Sequence, residues 1–467
     1  MPYHKITPKT LQQLKNIVGA SHLYTSHDQR IAYGKDKTED LLFLPEVIVL
    51  PKNTAEISQI MQLCHRENIP VTPRGAGTGL AGGALPVCGG IVLSVERLNQ
   101  IIELDEENLQ ITTEPAVITE VLQNEVQSKG LYYPPDPASR GSSFIGGNVA
   151  TNAGGPRAVK YGVVKDYVLN LEVVLADGSI IWTGANTLKN STGYNLTQLM
   201  VGSEGTLGII TKIVLKLIPA PQHSLLLLVS FKSAVKACAA VAAIFKAGII
   251  PSCMEFMERQ AIDVAQNYLQ DTTLPIRATT EAQLIIEVDG NHIDTLYNDC
   301  EKINSVLDSF DCDEVLFADD EHTKNSLWKL RRNLNYAIKN YSAVKKADTV
   351  VPRASLPQLL KGIHSISKKH GIQAVNYGHA GDGNLHVTLL KEHLTDEYWN
   401  REMPLAMLAI FQLVASLKGT ISGEHGIGWI QKEYLKLVFS PIEIQLMQAI
   451  KSSFDPKNIL NPSKIFP

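Results

Sequence analysis

The chain has 467 residues, which is long enough for two or more domains with their own hydrophobic cores. Hydrophobic residues make up 44% of it and charged residues 19%, as in an ordinary globular protein. The formal net charge of −4 lacks the basic excess of nucleic-acid-binding proteins, so nucleic acid is excluded as an expected partner.

The first half of the chain shows helix and strand patterns in alternation. Thr7 as an N-cap predicts an N-terminal helix with one apolar face. A strand is predicted at 46–50 and a helix at 54–68, where apolar residues recur at helical spacing. The region that follows is rich in glycine and in short β-branched runs. These runs predict strands, with Asp177-Gly178 as a hairpin turn.

The second half changes pattern after a Pro-Ala-Pro segment. Strands in SLLLLVSF and QLIIEVDG alternate with helices around 233–247, 292–308 and 321–341. This pattern predicts an α+β or α/β module with its own core. NYGHAGDGNLHV then reads as strand, glycine turn and strand. The proline-rich tail FDPKNILNPSKIFP is expected to dock on another domain.

Cysteine usage and apolar runs bear on location. The six cysteines are scattered without a C-x-x-C pair, so neither a disulfide framework nor an iron–sulfur site is indicated. The start MPYHKITPKT lacks the features of a signal peptide, and the run at 225–229 is too short to span a bilayer. We expect a cytoplasmic protein in a reducing compartment, at most bound peripherally to a membrane.

The loop VTPRGAGTGLAGGALP formally matches the G-x-G-x-x-G dinucleotide fingerprint at Gly77, Gly79 and Gly82. That fingerprint should open a helix whose N-terminus meets the pyrophosphate. Here the loop continues into Pro86 and a strand, which leaves no room for the helix and argues against a nicotinamide site. The glycines still let backbone N–H groups approach a phosphate, so a pyrophosphate loop is the interpretation and a plain turn-rich connection the alternative.

Two further stretches are rich in glycine. PPDPASRGSSFIGGNVATNAGGPRAVKYG (134–162) interleaves glycines with asparagine and threonine, and VGSEGTLGIIT (201–211) adds more ahead of a strand. So much conformationally free backbone costs folding entropy. A role in lining a large polar ligand explains these glycines better than a role as simple connections between strands.

Together with GHAGDGNLH and SGEHGIG further along, these motifs resemble the flavin-linked 2-hydroxyacid dehydrogenases of the vanillyl-alcohol-oxidase/PCMH flavoprotein superfamily. That group includes cytochrome-type D-lactate dehydrogenase, the glycolate oxidase flavin subunit and D-2-hydroxyglutarate dehydrogenase. The resemblance covers about residues 40–467 and implies an α+β protein. Its expected parts are an N-terminal helical segment (1–37), a PCMH-type FAD-binding domain (38–218), an α+β, ferredoxin-like substrate domain (219–420) and a C-terminal segment (421–467) that returns to the FAD site.

The resemblance implies FAD as cofactor. Some relatives attach FAD through a histidine in the first loop, but RGAGTGLAGG has none, so we expect noncovalent FAD. The residues expected to bind FAD are Arg74, Gly75, Ala76, Gly77, Thr78, Gly79, Pro135, Asp136, Ser139, Gly147, Asn148, Thr151, Asn152, Gly154, Glu204, Gly208, Ile210 and Asn461.

The hairpin NYGHAGDGNLHV would bring His379 and His386 close together, and two imidazoles suit Zn²⁺ or Mn²⁺. Asp382 is one candidate third ligand, although an Asp before Gly more often makes the turn. Glu424 in SGEHGIG is the better candidate. The resemblance implies His379, His386 and Glu424 as metal ligands and His425 as catalytic base. Purely structural histidines remain the alternative.

The chemistry implied is the oxidation of a 2-hydroxy acid. Its carboxylate and hydroxyl oxygens chelate the metal, which lowers the hydroxyl pKa, and His425 accepts the proton. A hydride then passes from the α-carbon to flavin N5. Arg331 aligns with the substrate arginine of the family, and a guanidinium pairs bidentately with a carboxylate. Lys346 is a second substrate-binding candidate. The alternative for Arg331 is a solvated helix arginine.

D-2-hydroxyglutarate enzymes tend to have asparagine two residues after the second histidine, where this chain has Thr388. We therefore expect a small D-2-hydroxy acid, D-lactate first, with D-2-hydroxyglutarate and glycolate as alternatives. Because the chain has no cysteine cluster to carry electrons, a quinone, a cytochrome or an electron-transfer flavoprotein must accept them. A homodimer is a further expectation.

Other classes of protein compete with this interpretation. A zinc hydrolase without flavin would use His379, His386 and Glu424 but leave the glycine-rich stretches unexplained. A nicotinamide dehydrogenase is disfavoured by the missing helix after Gly82. A non-catalytic binding protein would bury these polar side chains at a cost in free energy. A flavoenzyme of ether-lipid synthesis would share the fold with a redox-neutral reaction.

Overall fold

The computed structural model describes residues 3–38, 41–270, 276–313, 315–318 and 320–467. The chain divides into two compact units. The first unit comprises Met1–Gly154, Val163–Ala220 and Glu424–Pro467. The second unit comprises Gly155–Gly162 and Pro221–Gly423.

The helices of the described residues, in chain order, are α1 (Pro8–Val18), α2 (His27–Tyr33), α3 (Thr54–Glu67), α4 (Thr119–Gln127), α5 (Ile145–Thr151), α6 (Ala158–Tyr161), α7 (Leu196–Met200), α8 (Ala234–Lys246), α9 (Arg259–Leu269), α10 (Ile293–Leu307), α11 (Glu321–Tyr341), α12 (Leu356–His370), α13 (Asp396–Ser416) and α14 (Pro441–Phe454). None of the helices in the described ranges has the length and apolar character needed to cross a bilayer.

The strands are β1 (Leu23–Tyr24), β2 (Val47–Val49), β3 (Val71–Arg74), β4 (Ile91–Ser94), β5 (Ile101–Asp105), β6 (Gln110–Thr113), β7 (Leu131–Tyr132), β8 (Val168–Val174), β9 (Ile180–Trp182), β10 (Ile209–Lys216), β11 (Ile218–Pro219), β12 (His223–Phe231), β13 (Cys253–Glu258), β14 (Ala282–Gly290), β15 (Leu316–Ala318), β16 (Val344–Val350), β17 (Gln373–His379) and β18 (Asn384–Leu390).

The first unit begins with a four-stranded sheet of order β1-β2-β4-β3, in which β2, β4 and β3 run parallel. The side chain of Thr7 caps α1 as predicted, by accepting a hydrogen bond from the Thr10 N–H at 3.1 Å. Apolar side chains of α1 and α3 pack with this sheet in one core. The C-terminal tail reaches the same core, because Leu460 forms a parallel bridge with Val71 of β3.

A five-stranded antiparallel sheet of order β5-β6-β10-β8-β9 completes the main framework of the first unit. Its core contains apolar residues of α4, α5 and α7. The predicted hairpin between β8 and β9 is present: the Asp177 carboxylate accepts the Ser179 N–H at 2.8 Å, and Gly178 takes a φ of +89°. This left-handed conformation favours glycine.

The second unit is built on a seven-stranded antiparallel sheet of order β15-β12-β14-β13-β17-β18-β16. Helices α9 and α11 pack their apolar side chains on one face of this sheet. The helices predicted around 233–247, 292–308 and 321–341 correspond to α8, α10 and α11. An antiparallel sheet covered by helices is the predicted α+β architecture.

Candidate active site

The predicted histidine hairpin forms in the second unit. Strands β17 and β18 pair antiparallel around a short turn at Ala380–Asp382, and Gly383 takes a φ of +86° there. Asp382 helps to shape this turn, because its carboxylate accepts the Asn384 N–H at 3.2 Å. The rings of His379 and His386 lie nearly perpendicular with their centroids 5.2 Å apart. The hairpin therefore brings the two histidines together.

The strand register does not set the two histidines opposite each other. Tyr377 is the cross-strand partner of His386, whereas His379 faces Glu255 on the neighbouring strand β13. The Glu255 side chain is fully buried, and its Oε1 lies 2.7 Å from Nδ1 of His379. Sequence reasoning missed Glu255, which lies 124 residues before His379.

Glu255 also forms an ion pair with Arg331, which reaches down from α11. Burial raises the pKa of the Glu255 carboxyl, but the adjacent Arg331 guanidinium and the hydrogen bond with His379 outweigh it and lower this pKa to about 2. Glu255 is therefore ionised near neutral pH, and its charge compensates the buried guanidinium.

The Arg331 side chain is itself buried, and its guanidinium carbon lies 5.1 Å from the centroid of the Tyr377 ring. Its Nε is buried and has no hydrogen-bond partner among the described residues. A buried donor without a partner costs free energy. The solvated-arginine alternative is wrong, because this side chain is buried. A ligand with an acceptor oxygen would remove the cost of the unpartnered donor.

His386 has a carboxylate neighbour of its own. Asp348 on β16 is fully buried opposite His386, and its Oδ1 lies 3.5 Å from Nδ1 of that ring. The same carboxylate accepts hydrogen bonds from the Asn384 side chain at 2.8 Å, the Ser422 hydroxyl at 3.1 Å and the Gly423 N–H at 2.8 Å. Gly423 immediately precedes Glu424 in the chain.

Lys346 lies two residues before Asp348 on β16, and its cross-strand partner is Thr388. The ammonium of Lys346 donates a hydrogen bond to the side chain of Asn335 on α11. Thr388 is fully buried, and its hydroxyl has no hydrogen-bond partner within the described part of the chain.

The first glycine-rich loop lies between β3 and β4 in the first unit. Residues 75–90, all of which the structure describes, contain no helix, as predicted. Gly77 takes a φ of +69°, and a Cβ at this position would collide with the guanidinium of Arg74. The Arg74 side chain thus folds back over its own loop, where it lies against the Tyr33 ring. The loop offers backbone N–H groups rather than bulky side chains.

Several side chains of the second and third stretches serve the protein itself. Asn148 in α5 donates to the Thr119 hydroxyl at 2.7 Å, and Asp136 pairs with Arg140 at 2.9 Å. The Asn152 side chain accepts the Lys165 N–H at 2.9 Å. Thr151 bonds the carbonyl of Gly147, and Ile210 joins the core beneath β10. Pro135 and Ser139 precede α5, Gly154 follows it, and Gly208 precedes β10.

Glu204 organises the segment that follows His425. Its carboxylate accepts the N–H groups of Ile427 and Gly428, each at 2.8 Å, within the first unit. Burial raises the pKa of Glu204 to about 7, although these two N–H groups act in the opposite direction. The Asn461 side chain donates to the Glu204 backbone carbonyl at 2.7 Å. In this structure the Glu204 and Asn461 side chains stabilise the loop backbone.

Comparison with known proteins identifies the family. The C-terminal domain of FAD linked oxidases matches residues 220–465, and an FAD binding domain matches residues 45–184. The glycolate oxidase subunit GlcD of Bacillus subtilis is 40% identical, with 99% of this chain and 97% of that protein covered. The chain belongs to the FAD-linked 2-hydroxyacid dehydrogenases.

Other relatives of this FAD-linked dehydrogenase carry names of the same group. A D-lactate dehydrogenase of Anaerostipes hadrus is 36% identical over 99% of this chain and 98% of that protein. A D-2-hydroxyglutarate dehydrogenase of Stutzerimonas stutzeri is 33% identical over 98% of this chain and 99% of that protein. The predicted oxidoreductase class and its FAD cofactor are confirmed.

A solved structure shares the fold of this dehydrogenase. p-Cresol methylhydroxylase superposes with a TM-score of 0.82 over 98% of this chain and 96% of that chain, at 18% sequence identity. The predicted PCMH-type fold is confirmed.

Proposed function

We propose that this dehydrogenase oxidises a small D-2-hydroxy acid, with D-lactate first, to the corresponding 2-oxo acid. The observation that carries the proposal is the buried Arg331 guanidinium, whose Nε has no protein partner among the described residues. A carboxylate satisfies such a donor with a charge-assisted hydrogen bond. D-2-Hydroxyglutarate and glycolate are the alternative substrates.

The state of Lys346 supports a substrate with one carboxylate. Its ammonium donates one of its three N–H groups to Asn335, so fewer donors are left for a second carboxylate beyond the one that Arg331 binds. Thr388 beside it is a short side chain, which offers less reach than a longer amide. Both features favour D-lactate over D-2-hydroxyglutarate.

The two histidines of the hairpin, together with Glu424 of the SGEHGIG motif, fit a divalent metal, Zn²⁺ or Mn²⁺, held by His379, His386 and Glu424. In both histidines Nδ1 lies beside a buried carboxylate, the arrangement typical of metal-binding imidazoles that ligate through Nε2. Glu424 follows Gly423, whose N–H is held by Asp348.

Arg331, Lys346 and His425 then have separate roles in the reaction. Arg331 would bind and orient the substrate carboxylate, with Lys346 as a second cation. His425 would accept the proton of the substrate hydroxyl oxygen, a role that suits histidine because it exchanges protons near neutral pH. When bound, the metal supplies polarisation of the hydroxyl group and FAD supplies the hydride acceptor.

The first unit would hold FAD without a covalent bond, since residues 74–83 contain no histidine, cysteine or tyrosine. FAD-binding residues are proposed as the sequence predicts them, with Glu204 and Asn461 acting through the backbone they stabilise. A quinone, a cytochrome or an electron-transfer flavoprotein would receive the electrons, and two copies would form a homodimer. All six cysteines are free thiols, which agrees with a reducing, cytoplasmic location, at the surface of a membrane or away from it.

The test is the visible spectrum of the purified protein under anaerobic conditions, before and after D-lactate is added. We expect the flavin band to bleach with D-lactate faster than with D-2-hydroxyglutarate or glycolate. If only another 2-hydroxy acid bleaches the flavin band, that acid replaces D-lactate as the proposed substrate. A flavin that no 2-hydroxy acid reduces would overturn the proposal.

A further inference from the structure

Glu255 is a buried carboxylate that contacts two groups of the proposed site. Oε1 accepts from Nδ1 of His379 at 2.7 Å, while the other oxygen forms the ion pair with Arg331. His379 belongs to β17 and Arg331 to α11, so one side chain joins the sheet to the helix that covers it.

The surroundings of Glu255 give it no purely structural reason to be charged. Its neighbours along the same face of β13 are Cys253 and Met257, both buried in the apolar core. A buried ion pair contributes little to stability compared with apolar residues of similar volume. A charged residue here is better explained by the two groups that it orients.

We propose that Glu255 is a positioning residue that fixes the metal ligand His379 and the substrate-binding cation Arg331 in one arrangement. The inference rests on the proposed function. Its Oε1 holds the His379 tautomer that carries a proton on Nδ1, which presents Nε2 as the ligating nitrogen. Its Oε2 pairs with Nη2 of the guanidinium and leaves Nε, which has no partner among the described residues, to the substrate carboxylate.

The test is Glu255→Gln, which keeps the shape of the side chain but has one acceptor oxygen in place of two. One of its ends is then an amide NH₂ that faces either the His379 Nδ1–H or the Arg331 guanidinium. We expect a 10- to 100-fold lower affinity for Zn²⁺ or Mn²⁺, the usual effect of changing a residue that orients a metal ligand. The KM for D-lactate should rise together with this loss. Metal affinity is measured by chelator competition on the FAD-loaded protein without substrate.

Glu287→Gln is the matched control. Glu287 is buried on the same face of the sheet and accepts from Arg157 at 3.1 Å and from Trp328 at 3.2 Å. We expect this variant to keep wild-type affinity for the metal and for D-lactate. An equal loss in both variants would indicate a general effect of removing buried charge and would overturn the proposal.

The outcomes separate this inference from the proposed function. A wild-type protein that binds no divalent metal and is not reduced by any 2-hydroxy acid contradicts the proposed function. A wild-type protein that does both, with Glu255→Gln behaving identically, contradicts the positioning role alone. If Glu255→Gln does not fold, Glu255→Asp replaces it, because it keeps the charge and withdraws the carboxylate by one methylene. Wild-type affinities in Glu255→Asp would overturn the proposal.

Discussion

The carboxylate of Asp348 accepts the backbone N–H of Gly423 at 2.8 Å, across 75 residues of sequence. Asp348 also lies beside Nδ1 of His386. One buried side chain in the second unit therefore fixes both a histidine and the backbone immediately before the Glu424-His425 pair.

Asp348→Asn should disrupt one of the two contacts, because its side chain keeps one acceptor oxygen and turns an amide NH₂ toward the donor at the other end. We expect metal affinity to fall roughly 10- to 100-fold. We also expect the free energy of unfolding to fall by about 1–3 kcal/mol, the cost of a buried unsatisfied polar group. Chelator competition and urea unfolding measure the two effects. Ser422→Ala removes only the hydroxyl bond to Asp348 and should leave metal affinity unchanged; a loss as large as that of Asp348→Asn would contradict this assignment.

His379→Ala should remove a metal ligand and leave FAD in place, because the residues proposed to bind FAD all lie in the first unit. Elemental analysis of the purified protein should show substoichiometric metal with a normal flavin spectrum. His370→Ala is the control, since His370 is a comparably buried histidine that pairs with Glu402 at 3.0 Å. Unchanged metal content in His379→Ala would rule out His379 as a ligand.

Arg331→Lys should weaken substrate binding, because an ammonium cannot offer the planar fork of a guanidinium. We expect the D-lactate concentration that half-saturates flavin reduction to rise roughly tenfold or more, equivalent to about 1.5 kcal/mol of a charged hydrogen bond. Stopped-flow reduction measures it. Arg332→Lys, an exposed neighbour on the same helix, should behave as wild type. An equal effect in both variants would refute a specific role for Arg331.

His425→Ala should slow flavin reduction by roughly 10²- to 10⁴-fold, the range that a general base contributes. FAD and metal should stay bound, because His425 is neither an FAD-binding residue nor a metal ligand in the proposal. Single-turnover reduction by D-lactate, with flavin and metal content determined on the same sample, checks both parts. Near-normal reduction would exclude His425 as the base.

Glu204 predicts a dependence of stability on pH. Its pKa rises from 4.5 to about 7 in the folded protein because the carboxyl is buried. Between these values the folded state holds a proton that the unfolded chain has released, so the free energy of unfolding falls as pH rises through the window. The full contribution is about 3 kcal/mol.

Glu204→Gln cannot titrate, so its stability should lack this decline. Urea unfolding of wild type and variant at pH 4.5, 5.5 and 7 gives the comparison. The difference in stability between the two proteins should change steadily over this range in favour of the variant. A constant difference would show that the pKa of Glu204 is not raised.

Local patterns predict much of the fold. The Thr7 cap, the helices of the second unit and the hairpin at Asp177 follow from spacing and turn chemistry, which act over a few residues. The absence of a helix in residues 75–90 was equally predictable, because Pro86 and the following strand leave no room for one.

The partners of the two histidines were not predictable in the same way. Glu255 meets His379 only because β13 lies beside β17, although 124 residues separate the two side chains. Nothing in the alternation of either strand specifies which strand becomes its neighbour. In the sequence Asp348 likewise resembles any other strand residue. Only the pairing of β16 with β18 places it opposite His386. The order of the strands in the sheet, which the sequence pattern does not predict, brings these two carboxylates beside the histidines.

The bridge between Leu460 and Val71 has a consequence for how the molecule is made. Ile459 and Leu460 are fully buried in the core that contains β3. A ribosome releases them only after residues 221–423 have been synthesised, so the second unit can fold while the first still lacks part of its core. We therefore expect the second unit to mature first, and flavin loading to await the synthesis of Ile459 and Leu460.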